Sequence, residues 1–215
     1  MRQRLLDIFD TLLKTFGKRN WWPGETQLEI IVGAVLTQNT SWKNVEKAIL
    51  NMKSAGLMDL DTLNAVEDRI LAQNIRSSGY YNLKSVRLKN IIKVICEEYS
   101  SSIELLKDND TNRLRKRLLE VKGIGEETAD SILLYALDKP VFVVDTYTKR
   151  FLKNHGFYQG GYRYSDVQAF FMDNLPLDAY LFNEYHALLV ALCQNHCSKS
   201  PKCEDCPLRE DKEAV

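Results

Sequence analysis

Only one segment of this chain, Pro140–Val144 (PVFVV), has the run of β-branched and aromatic residues that suits a strand, and it is short. Almost everything else with a pattern repeats at the helical period. The N-terminal segment MRQRLLDIFDTLLKTFGK sets Leu5, Ile8, Phe9, Leu12 and Leu13 on one face. Thr26 followed by Glu29 makes a capping-box pattern ahead of Leu28, Ile31, Val32 and Val35. Further amphipathic stretches run over roughly 42–55, 60–73, 83–99, 111–121, 126–137, 145–154, 164–173 and 177–195. With no internal repeat and no low-complexity linker, the expected fold class is all-α. At 215 residues, 45% of them hydrophobic, the chain can bury one substantial core or two small ones.

The most specific local pattern lies from Val121 to Asp145, VKGIGEETADSILLYALDKPVFVVD. Gly123 and Gly125 permit positive φ and close backbone approach, so this turn ends one short helix and begins another. Backbone N–H groups at the start of the second helix then face outward and suit a phosphate oxygen. A single carboxylate, Asp145, follows an apolar run. The simpler alternative is a pair of glycines that merely join two core helices.

Basic and acidic residues number 29 each, which is not the balance of a protein that binds nucleic acid through overall charge. The basic side chains are nonetheless unevenly placed. Lys84, Arg87, Lys89 and Lys93 fall in a stretch without acids, and Arg113, Arg115, Lys116 and Arg117 precede the glycine turn. Such patches fit either modest, salt-sensitive contact with a phosphate backbone or ordinary solvated helix faces. No apolar run reaches membrane-spanning length, and the N-terminus lacks the apolar core of a signal peptide, so a cytoplasmic protein with no membrane partner is expected.

Four cysteines crowd the C-terminus, Cys193, Cys197, Cys203 and Cys206, spaced C-x3-C-x5-C-x2-C. In a cytosolic chain this reads as a metal site before it reads as disulfides. Cys193 and Cys197 lie one turn apart at a helix end, so both thiolates can face one centre. Iron–sulfur clusters and structural zinc both use four thiolates, and spacing alone does not choose between them. Cys96, alone on an apolar helical face, reads as a core residue. His186 and His196 read as core or surface residues rather than ligands.

Together these features resemble the helix-hairpin-helix DNA glycosylases of the endonuclease III superfamily. The resemblance is carried by LTQNTSW (Leu36–Trp42), SGYYNLK (Ser78–Lys84), VKGIGEETA (Val121–Ala129), VVDTYTKR (Val143–Arg150) and the terminal cysteines. The Trp21-Trp22-Pro23 start and the LTQNT variant are most similar to the 3-methyladenine glycosylase branch. The resemblance implies two helical lobes with damaged double-stranded DNA bound across the cleft between them, and a monomer. A six-helix lobe with the hairpin would span about 22–135. Residues 1–21 and 136–215 would form the second lobe, with Asp145 and the cysteine cluster.

Site residues follow from the motif positions. Asp145 would be the catalytic carboxylate, with helix N-cap as its alternative. Trp21, Trp22 and Trp42 would border the base pocket, with core anchoring as theirs. Gln38 would enter the gap left by a flipped base, supported by Asn39, and Tyr80 would wedge the opposite strand. Lys122, Gly123, Gly125 and Glu127 would hold a phosphate. Two departures from the family pattern matter. Bifunctional members carry a nucleophilic lysine at the position of Glu127, so a monofunctional glycosylase is expected. The family cysteine spacing is C-x6-C-x2-C-x5-C; here Cys197, Cys203 and Cys206 match its first three ligands and Cys193 would have to be the fourth. A 4Fe-4S cluster is the expectation, with zinc or an empty site as alternatives.

Overall fold

The structure, a computed structural model, describes residues 1–211. The predicted second lobe includes residues 212–215, which lie outside the described residues. The described residues form helices up to Asn195: α1 (Arg2–Phe16), α2 (Gln27–Leu36), α3 (Trp42–Ser54), α4 (Leu60–Ala65), α5 (Asp68–Asn74), α6 (Tyr81–Glu98), α7 (Ile103–Lys107), α8 (Thr111–Leu119), α9 (Glu126–Ser131), α10 (Thr146–His155), α11 (Tyr164–Asn174) and α12 (Ala179–Asn195). A 3₁₀ turn covers Arg76–Ser78, and α9 runs on into a π-helical segment, Ile132–Ala136. No strand occurs among the described residues. Pro140–Val144 is extended, but side chains take its backbone groups: Gln168 donates to the Phe142 carbonyl at 2.8 Å, and Val144 N–H donates to the Tyr164 hydroxyl at 3.3 Å. None of these helices is long and apolar enough to cross a membrane.

The described residues divide into two compact units, residues 22–139 and residues 1–21 with 140–211. In the first, α2 is buried almost all round, as its near-continuous apolar sequence requires. Thr26 accepts from Glu29 N–H at 3.2 Å, the first half of the capping box. The Glu29 carboxylate reaches back to Glu25 N–H instead of Thr26 N–H, and pairs with Lys53 at 2.7 Å. The stretch 60–73 is two helices rather than one. Lys89 from α6 donates to the carbonyls of Leu63, Asn64 and Val66, drawing off the acceptors that would have continued α4. The short α7, capped by Ser102, falls outside the predicted amphipathic stretches.

Lys84 is 1% exposed, and its ammonium donates to the carbonyls of Leu36 at 2.9 Å and Ser78 at 2.5 Å. Burial, and then the nearby Arg87 charge, lower its pKa. One side chain thus ties the C-terminal end of α2 to the turn before α6. Replacement by methionine keeps the stem and leaves both carbonyls without this donor. The expected cost is about 2 kcal/mol, read as a fall in thermal midpoint of roughly 4–8 °C; an unchanged midpoint would show that these bonds contribute nothing net.

In the second unit α1 packs its buried face, Leu5, Ile8, Phe9 and Leu12, against α12. The Tyr185 hydroxyl donates to the Leu5 carbonyl at 2.9 Å, and buried Glu184 accepts from Arg19 and Asn20 N–H, both at 2.8 Å. Phe142 stacks on Phe171 at 4.1 Å, with Phe182 and Tyr185 edge-on. These contacts seat the Pro140–Val144 run and so place Asp145 directly after it.

Candidate active site

Within residues 22–139 the glycine turn joins α8 to α9. Gly123 has φ +97°, open only to glycine without strain, and the Arg87 side chain lies against its α-carbon. Gly125 is extended (φ −98°, ψ 179°) and serves as the N-cap of α9, so positive φ is used at Gly123 and not at Gly125. The two arms of the hairpin are held by Arg115 on α8, which grips Asp130 on α9 through two bonds of 2.7 and 2.9 Å. Asp130 is 0% exposed, so this pairing satisfies a fully buried carboxylate. Lys122 and Glu127 are exposed, and the Lys122 carbonyl accepts from Asn90 at 2.9 Å.

Gln38 is drawn to this hairpin. Its side-chain amide donates to the Thr128 hydroxyl at 3.0 Å and to the Gly123 carbonyl at 3.4 Å, while its oxygen accepts from Arg87. Asn39 is exposed with φ 55°, and Tyr80 is left-handed with φ 46°. Tyr80 is 73% exposed, so its ring stands out from the surface instead of packing into the core.

The basic patches prove largely inward-looking. Lys84 and Lys89 are committed to carbonyls, Arg115 to Asp130 and Arg117 to Glu98. Arg113 and Lys116 remain exposed.

Trp22 and Trp42 meet edge to face, with centroids 5.2 Å apart, and Tyr135 from the π segment lies tilted against Trp22 at 5.1 Å. Gly33 on α2 permits this: a Cβ there would sit 3.0 Å from Trp22 Nε1 and 3.4 Å from the Trp42 ring. Both indoles are half-buried. Trp21, also half-buried, belongs to the other compact unit.

In the unit of residues 1–21 and 140–211, Asp145 caps α10. Its Oδ1 accepts from Thr148 N–H at 2.8 Å and from the Thr148 hydroxyl at 3.0 Å. The side chain is nevertheless only 13% exposed, and Oδ2 stands 3.5 Å from His186 Nε2. Burial alone would raise the carboxyl pKa. The His186 charge and hydrogen bond, with the Thr148 bonds, outweigh burial and hold it below the ordinary value. Asp145 is therefore an anion at neutral pH.

The expected 4Fe-4S cluster, and with it zinc, on Cys193, Cys197, Cys203 and Cys206 is overturned. Among the described residues no group of three or more His, Cys, Asp or Glu side chains is arranged to hold a metal ion. The thiols have other partners. Cys193 Sγ faces the Tyr147 carbonyl at 3.5 Å, and Asn154 donates to Cys197 Sγ at 3.2 Å. The Cys193 and Cys197 thiols also hydrogen-bond to each other. That bond, reinforced by burial, holds the proton on Cys193, while the Cys193 thiol, with help from His155 and Asn154, pulls Cys197 down to about 4. Cys96 is half-buried and points its thiol at the Leu60 carbonyl, 3.7 Å away.

Three side chains join this picture that the sequence did not single out for these places: Arg87 on Gln38, Tyr135 beside Trp22, and His186 at Asp145. Each contact links segments far apart in the chain, so no local spacing announces it.

The model of the HhH-GPD superfamily of base excision DNA repair proteins matches residues 32–177. A Methanocaldococcus jannaschii protein carrying the provisional name DNA repair glycosylase is 48% identical over 210 residues, 97% of this chain and 95% of its own length. Endonuclease III of Sulfolobus acidocaldarius is 28% identical over 182 residues, 84% of this chain and 78% of its own. Among solved structures, the 3-methyladenine DNA glycosylase of H. pylori bound to 1,N6-ethenoadenine superimposes with a TM-score of 0.77 at 32% identity, covering 88% of this chain and 97% of that one. An endonuclease III–DNA covalent intermediate gives 0.81 at 23% identity over 99% of this chain and 97% of its own, a likeness of fold.

Proposed function

The chain belongs to the HhH-GPD superfamily of base excision DNA repair proteins and is a DNA glycosylase, and from that footing we propose that it releases alkylated purines such as 3-methyladenine from double-stranded DNA and leaves the strand intact. The observation that carries this reading is the aromatic group of Trp22, Trp42 and Tyr135. A base in a duplex is out of reach until it is flipped out, and a flipped base is held by stacking. An alkylated purine such as 3-methyladenine carries positive charge on its ring, which electron-rich indole faces attract by roughly 0.5–2 kcal/mol. Such a base is already a good leaving group and needs little acid catalysis. The 3-methyladenine glycosylase of H. pylori, 32% identical, supports the same substrate class.

Cleavage of the glycosidic bond passes through a sugar with oxocarbenium character. Asp145, held ionised, would stabilise that cation and orient or deprotonate the attacking water. Gln38 would fill the vacated position in the stack, with Asn39 in support, and Tyr80 would part the opposite strand. The hairpin amides around Gly123, Gly125 and Glu127 would hold a phosphate oxygen, with Lys122 as a point charge.

Glu127 stands where a lyase would carry its amine. A carboxylate cannot form the Schiff base that precedes strand cleavage. Incubation with methylated duplex DNA is expected to release free 3-methyladenine, identified by chromatography, while borohydride traps no protein on the DNA. Release of uracil or an oxidised base in preference to methylated purines would overturn the substrate assignment. Efficient trapping would overturn the monofunctional assignment.

A further inference from the structure

We infer that His186 is a positioning residue for Asp145, its Nε2–H fixing the carboxylate oxygen that the helix cap leaves over. The inference rests on the proposed catalytic role of Asp145 and extends it to a residue outside the motifs.

Asp145 has two oxygens with different surroundings. Oδ1 takes both bonds from Thr148, which is itself 0% exposed, so rotation of the carboxylate is blocked on that side. A capping aspartate of the ordinary kind lies at the surface with its second oxygen in water. This one is 13% exposed, and its Oδ2 faces an imidazole that is 7% exposed. His186 lies within a run of α12 that is buried from Glu184 to Cys193, so its ring is packed in the core around the helix. The separation of 3.5 Å is long for a hydrogen bond and close for an ion pair. Catalytic hydrogen bonds are commonly long in the unliganded enzyme and tighten with substrate. Held by Thr148 on one oxygen and His186 on the other, the carboxylate keeps one orientation and still has a lone pair on Oδ2 for the sugar cation or the attacking water. The cost of letting it drift is steep, because a misplacement of about 1 Å can lower a rate about 100-fold.

A histidine that only fills space would be replaced adequately by any side chain of similar volume. Glutamine and asparagine separate the two roles, since the glutamine amide nitrogen reaches the place of Nε2 and that of asparagine stops near Nδ1. His186→Gln, His186→Asn and His186→Leu would be compared with Asp145→Asn for single-turnover base release from methylated duplex DNA, DNA affinity and thermal midpoint. The expected result is base release slowed roughly 10- to 100-fold in the leucine and asparagine variants and close to wild type in the glutamine variant, with DNA affinity unchanged in all three. Should leucine prevent folding, the glutamine–asparagine pair carries the test. Glutamine as slow as asparagine with both proteins folded, or all three variants at the wild-type rate while Asp145→Asn is inactive, would overturn the role of His186 alone. Full activity of Asp145→Asn would overturn the catalytic reading of Asp145 and this inference with it.

Discussion

Asp145→Asn is expected to bind damaged duplex DNA as well as the wild type and to release base roughly a hundred- to ten-thousand-fold more slowly. Asparagine is about as good an N-cap as aspartate, and its amide oxygen can keep the two bonds from Thr148, so α10 should stay in place. What disappears is the negative charge. Two measurements check this, single-turnover base release and the thermal midpoint; a variant that folds, binds and cleaves at the wild-type rate would remove Asp145 from the chemistry. The pH dependence is of a piece with this. Because the folded carboxyl lies below its ordinary value, its contribution to stability is fully present above the unfolded value near 4 and is lost as pH falls through the folded one. Base release should therefore show no loss attributable to Asp145 between about pH 8 and pH 5.

Gly123→Ala should damage both the fold of the hairpin and the grip on DNA. Alanine at φ +97° is strained, and its Cβ would overlap Cγ of Arg87. Arg87 cannot give way freely, because its guanidinium holds Gln38, which in turn bonds Thr128 and the Gly123 carbonyl. The substitution thus pushes on a closed ring of contacts. The expected loss is about 1–3 kcal/mol of stability, with DNA affinity lowered by about tenfold or more. Gly125→Ala is the instructive comparison. Its backbone is extended and an added Cβ meets nothing within 4 Å, so the thermal midpoint should hold. If that open space receives a phosphate, DNA affinity alone should fall. Wild-type stability and affinity in Gly123→Ala would show that neither the strain nor the Arg87 contact matters.

The helical character of the chain was plain from its periodicity, down to the inward face of α1 and the cap at Thr26. Local rules of that kind act within a turn or two, and sequence spacing records them. The division of 60–73 was not visible, because the carbonyls that end α4 are claimed by Lys89 from a helix some two dozen residues later. The direction of a basic side chain is equally hidden: Lys84 and Arg115 read as surface charge and are committed to carbonyls and to a buried carboxylate. The cysteines misled for a related reason. Spacing states which thiols can come near one another, but their hydrogen-bond partners, the Tyr147 carbonyl and Asn154, come from α10 and decide where they point. Asp145 was legible both as a cap and as a candidate catalytic carboxylate, and its burial against His186 was not.

Tyr80 holds a left-handed backbone with its ring in solvent, a conformation that costs about 1–2 kcal/mol for a residue with a Cβ. On the proposed wedge role, that free energy and the ordering of the turn are settled when the protein folds, not when it meets DNA. Insertion of the ring then proceeds without the entropic penalty that a floppy loop would add to each encounter. A searching enzyme that tests many undamaged sites for each lesion benefits at every one of them, because the backbone that carries the probe is set before the first contact is made.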